Sequence, residues 1–198
     1  MWKILKWIGI AFVGAFIVLF IIRDFHYFDV KKTDEQVAKI HATKLTLDDV
    51  MGKNLPPDPG ADADKTVAGV DINNNGIRDD VELAIFKEYP SSAKTRAVLL
   101  QYALALQMEA IQPIVNKDTV TEVVREQSRA YECVAEVLPR IDLSKFVKEG
   151  DALRSFVEEK QRNTLERKQQ RQYFVEKVES YNELKSQVCD INYSTLPN

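Results

Sequence analysis

The chain has 198 residues, 45% of them hydrophobic, and sets 27 basic against 30 acidic side chains for a formal net charge of -3. That length holds one core of ordinary domain size together with a tail or anchor. Near-balanced charge excludes a general nucleic-acid binder, which carries a large basic excess or stripe.

The first element is apolar. Trp7 to Ile22 reads WIGIAFVGAFIVLFII without a polar side chain, and Ile4 and Leu5 extend it to about the 20 residues that cross a bilayer. Lys6 can snorkel to the head groups. A cleaved signal peptide has a shorter apolar region and a small-x-small site, whereas this run passes straight into Arg23-Asp24-Phe25-His26-Tyr27. The prediction is an uncleaved signal anchor over residues 1–25, the protein's contact with the membrane. Neither cysteine lies near enough to attach a lipid.

Trp2, Trp7, Phe25, Tyr27 and Phe28 flank the span as interface anchors do. Ala11 and Ala15 stand at the spacing that lets two such helices pack closely, which would make a homodimer. Lys3 and Lys6 precede the span while Arg23, Lys31 and Lys32 follow it, so the charge rule is close to a tie. Short basic N-termini stay inside, which places the chain in the cell membrane with its N-terminus cytoplasmic and the rest periplasmic or extracellular. Cys133 and Cys189 are predicted to form one disulfide, in keeping with an oxidising compartment, the alternative being two buried thiols.

Residues 26–66 read as a partly ordered linker. Thr33-Asp34-Glu35-Gln36 and Thr46-Leu47-Asp48-Asp49 look like two helix starts, the second stopped by Met51-Gly52. Three prolines between Asn54 and Asp62 cannot continue a helix. A folded body over 67–198 is expected to follow.

Its opening holds the most specific pattern in the chain: Asp71-Ile72-Asn73-Asn74-Asn75-Gly76-Ile77-Arg78-Asp79-Asp80-Val81-Glu82. Ca²⁺ takes roughly six to eight oxygens, and a twelve-residue loop supplies them from positions 1, 3, 5, 7, 9 and 12 with glycine at 6. Asp71, Asn73 and Asn75 offer side-chain oxygens, and Ile77 its carbonyl. Asp79 would act directly or through water, and Glu82 would close the site with both carboxylate oxygens. An alternative is a plain Asn-Gly turn whose following acids complement a helix dipole.

This spacing resembles the calcium loops of EF-hands and of the dockerin-type half EF-hand. The match departs from the EF-hand at the approach, Thr66-Val67-Ala68-Gly69-Val70, which is not helical, and at position 8, where Arg78 replaces an apolar residue. Those departures argue against a paired sensor. Asparagine at two ligand positions points to the weak, extracellular range of roughly 10⁻⁴–10⁻³ M. The wider string from Leu55 to Glu82 also looks like exported bacterial envelope proteins.

Beyond the loop the chain reads as amphipathic helix: Asp79 to Glu88, then Lys94 to Ile111 as the central helix. A helix capped by Thr119 follows, then Ser144 to Arg162, then a last long helix from Asn163 through Tyr181 and Leu184 to Val188. The predicted fold is mainly α: a transmembrane helix followed by a small antiparallel bundle with one EF-hand-like calcium loop.

Catalytic patterns are sparse. His26 and His41 have no partners at metal or triad spacing, and both read as solvated. Glu122, Glu126, Glu132 and Glu136 read as an exposed acidic face, and Arg162, Arg167, Lys168 and Arg171 as an exposed basic one. The function expected is a membrane-anchored, calcium-stabilised binding or structural protein, an accessory subunit with an envelope protein partner. The alternative is an envelope hydrolase with a carboxylate site of unfamiliar form.

Overall fold

A computed structural model describes residues 2–182 and 187–197, setting aside in the first helix the side chains of Lys3, Leu5, Ala11, Phe25 and His26. The expectations for Ala11, Phe25, His26 and Leu184 lie outside the described residues. The protein is mainly helical, and no strand forms among the described residues.

Helix α1 runs unbroken from Trp2 to Ala42, about 60 Å at the standard rise. Its N-terminal part is long and apolar enough to cross a membrane, with a mean hydropathy of 2.3 and none of that window buried against the chain. The sequence predicts a new helix at Thr33, but none starts there. Thr33 already sits inside a helix, and its hydroxyl donates to the Asp29 carbonyl at 2.8 Å instead of capping.

The last turns of α1 dock on α5, Lys117–Glu136. Gln36 donates to Gln112 at 2.6 Å, Asn116 to Thr33 at 2.7 Å and Lys44 to Glu126 at 2.7 Å. His41 stays at the surface as expected and pairs there with Glu122 at 2.9 Å. Contact positions rise together along both helices, so α5 runs in the same direction as α1. Ile40, Leu45 and Val50, from the stretch read as linker, are fully or almost fully buried in the core. Between them Thr46 caps the one-turn helix α2, Leu47–Val50, through a reciprocal pair with Asp49.

After a 3₁₀ turn at Gly60–Asp64 come α3 (Asp79–Glu88), α4 (Ala93–Ile111), α5, α6 (Leu143–Gln161) and α7 (Leu165–Val175). Helix α4 is central, buried along nearly its whole length and packed on α3, α5, α6 and α7. Helix α5 begins before the expected cap. Asn116, directly after Pro113-Ile114-Val115, accepts from the Asp118 and Thr119 amides, while the Thr119 hydroxyl turns back to the Asn116 carbonyl.

The last helix ends at Val175, thirteen residues before the predicted Val188. The physical reason lies in what its continuation does. Asn182 and Val188 give their backbone carbonyls to Arg125, Arg129 and Gln101 of the neighbouring helices, bonds that an intrahelical ladder would compete for. The predicted Cys133–Cys189 disulfide forms and holds this returning segment against α5. Asp190 adds an ion pair to Arg129 at 2.7 Å and accepts from the Leu45 amide at 3.1 Å.

The two charged faces read as exposed are partly inside. Arg167 is only 3% exposed and donates to the carbonyls of Ala63, Thr66 and Val67, pinning the strap before the loop. Its pairing with Asp64 holds that carboxyl below the usual range. Arg162 and Arg171 converge on Glu109 of α4 at 3.4 and 2.7 Å. Glu126 is buried between Lys44 and Arg129. A three-and-four periodicity places such residues on one helix face, but only the neighbouring helix decides whether that face meets water.

Candidate metal centre

The loop at Asp71–Glu82 is built around two backbone reversals. Asn74 and Gly76 both take left-handed φ, at 57° and 83°, a conformation open to glycine and tolerated by asparagine. At Gly76 a Cβ would also stand 2.7 Å from the Leu104 side chain, so glycine is required twice over. The Asp79 amide donates to the Val70 carbonyl at 2.9 Å and closes the base of the loop.

Inside that frame the predicted ligand residues take three roles. Asp71 folds its carboxylate over the turn, accepting from the Asn75 amide at 3.2 Å and the Gly76 amide at 2.9 Å. Asp79, fully buried, accepts from the Ile72 amide at 3.1 Å. Burial pushes its carboxyl above the usual range against that hydrogen bond. Asn73, Asn75 and Glu82 are brought together: both amide groups donate to the same Glu82 oxygen, at 3.0 and 3.1 Å.

Glu82 is the electrostatic problem of the site. It is 1% exposed, and burial raises its pKa from 4.5 to about 7 despite the two amide donors. Beside it, Asn73 Oδ1 is a buried oxygen with no hydrogen-bond partner among the described residues. A native structure rarely leaves such an atom unmatched, because an unpartnered buried acceptor costs about 1–3 kcal/mol. Ile77 sends its side chain into the core, where it is fully buried, and so fixes the loop to the body.

Among the described residues no group of three or more His, Cys, Asp and Glu gathers as a metal cluster. Asp71 and Asp79 both turn their carboxylates onto backbone amides, and the side chains that bond to one another are one glutamate and two asparagines.

Arg78 has a role that the EF-hand comparison marked only as a departure. It is fully buried, forks onto Asp80 at 2.6 and 2.8 Å, and donates to the Lys160 and Gln161 carbonyls at 2.8 and 3.3 Å. Those carbonyls belong to the open end of α6. Room for the arginine comes from Gly69 (φ 71°), where a Cβ would stand 2.3 Å from the Arg78 side chain. The signal in the sequence was an arginine at a position where an EF-hand carries an apolar residue.

No family model, curated protein or solved structure matches the chain.

Proposed function

We propose that this is a membrane-tethered, extracytoplasmic protein whose helical domain takes one Ca²⁺ at Asp71–Glu82 as a structural ion. Its work is to bind or brace an envelope protein partner. The observation that carries the reading is a buried Glu82 bonded by the amide nitrogen of Asn73, whose oxygen has no partner among the described residues, inside a loop of EF-hand spacing. A divalent cation answers both at once: it offsets the desolvated carboxylate and supplies the amide oxygen's missing partner. Asp71, Asn73, Asn75, the Ile77 carbonyl, Asp79 and Glu82 would hold it. The ion would supply charge neutralisation and a cross-link between the loop and α3.

The tether reading rests on the apolar start of α1. The extracytoplasmic side is favoured by the disulfide, since such bonds persist in oxidising compartments.

Equilibrium dialysis of the full-length protein in phospholipid nanodiscs with radioactive calcium tests the site. One bound ion per chain, lost in Glu82→Gln and retained in Asn74→Ala, is the expected result. Binding that ignores Glu82 would leave only the turn. Protease added to intact spheroplasts tests the side: digestion of the body of the chain is expected, and full protection would reverse the orientation.

A further inference from the structure

A second polar constellation stands apart from the loop. Between α4, α5, α6 and α7 opens a cleft of about 580 Å³ with Leu106 and Val124 among its apolar lining. Small-molecule sites fall at roughly 300–1,000 Å³ and combine an apolar lining with a few convergent polar groups. Here the polar groups are held in place from behind. Glu109, 6% exposed on the central helix, accepts from Arg162, Arg171 and Gln127 at 3.4, 2.7 and 3.1 Å. Tyr102 donates to Glu158 at 2.5 Å, and Arg162 reaches the other Glu158 oxygen at 3.2 Å. At the rim Arg154 stacks 4.0 Å over the half-exposed Tyr131 ring. Its neighbour Glu132 is exposed and makes no ion pair or hydrogen bond among the described residues.

Charge selects the ligand class. In the lining, Glu132 and Glu158 balance Arg162 and Arg171, so an ion of either sign would meet no net complementary field in the cleft. What the walls do present is planar donors and acceptors in fixed positions beside a tyrosine ring. A sugar matches that array, because each hydroxyl both donates and accepts while the ring C–H face packs on an aromatic. We propose that this cleft binds a neutral saccharide, with Arg162 and Arg171 donating to its hydroxyls, Glu132 accepting from them and Tyr131 packing on the sugar ring. The inference is independent of calcium at Asp71–Glu82.

The test is saturation-transfer NMR on the full-length protein in nanodiscs, prepared without sugar-based detergent, against cellotetraose, maltotetraose and chitotetraose. Transfer to at least one of the three is expected. Both Tyr131→Ala and Glu132→Gln should weaken that binding about tenfold, as loss of one stacking or charge-assisted contact does. Both positions lie at the open rim, and Glu132→Gln in particular keeps shape and exposure, so the melting temperature should stay that of the parent. No transfer to any of the three, or transfer that either variant leaves unchanged, overturns the proposal. Displacement of the saccharide by inorganic phosphate or glycylglycine, which would assign the cleft to charged ligands, overturns it as well.

Discussion

Glu82 shows how one buried carboxyl links pH to stability. Burial raises its carboxyl to about 7 against an ordinary 4.5. The folded state therefore holds a proton that the unfolded chain releases, and stability falls as pH rises from about 4.5 through 7. Each pKa unit is worth about 1.4 kcal/mol, so the loss is on the order of 3–4 kcal/mol. In chelator, the urea midpoint should decline between pH 5 and pH 8, with a smaller contribution of the same sign from Asp79. Glu82→Gln should flatten most of that decline. Calcium takes the deprotonated carboxylate, so its affinity should increase as pH rises through 7. A midpoint constant from pH 5 to 8 in the parent protein would contradict this account of Glu82.

The meeting of Asn73, Asn75 and Glu82 was legible because a loop of fixed length leaves little freedom in where its positions 3, 5 and 12 can go. The direction in which each side chain turns was not. Asp71 and Asp79 spend their oxygens on backbone amides, a choice that depends on the unpaired N–H groups of the two reversals and not on the spacing.

At the scale of elements, Arg78 ties the loop to the end of α6 while Arg167 ties the preceding strap to α7. Truncating a buried arginine leaves both a void and unpaired carbonyls. Arg78→Ala should cost about 2–4 kcal/mol, read from the denaturant midpoint at constant slope. A change below about 0.5 kcal/mol, typical of a surface site, would show that the α6 carbonyls find other donors.

Helix existence was readable from periodicity, and three expected boundaries failed for nameable reasons. Thr33 has the composition of a cap but arrives inside a helix already running. Thr119 loses the cap to Asn116, which an extended approach places ahead of it. Tyr181 and Val188 keep helical spacing with α7, yet their segment is claimed by hydrogen bonds from α4 and α5. In each case a contact distant in sequence, or the state of the preceding turn, outweighs local pattern.

At the scale of the molecule, α1 joins the apolar span to the bundle without a break, since its last turns pack on α5 and its Ile40 enters the core. The sequence placed a loose linker there because polar residues and prolines suggested a tether. Ile40, Leu45 and Val50 stand too far apart for an apolar stripe, and they fill the core from the end of α1, the connection after it and α2 in turn. The disulfide closes the other end. Replacing Cys133 and Cys189 together by serine releases a loop whose ends are 56 residues apart. The chain-entropy relation then predicts a loss of about 4 kcal/mol, to be measured by chemical denaturation. An unchanged midpoint would mean that the Asp190 ion pair and hydrogen bonds alone hold the returning segment.

The central claim is that a calcium ion belongs to the folded protein, and thermal unfolding of the full-length chain in nanodiscs tests it most directly. An ion bound only by the native state stabilises it by about 1.4 kcal/mol at ten times Kd, which raises the melting temperature by several degrees in a domain of this size. The account predicts that increase on passing from chelator to millimolar calcium in the parent protein and in Asn74→Ala, and its loss in Glu82→Gln. Equal melting temperatures with and without calcium in the parent, or an equal shift in Glu82→Gln, would contradict it.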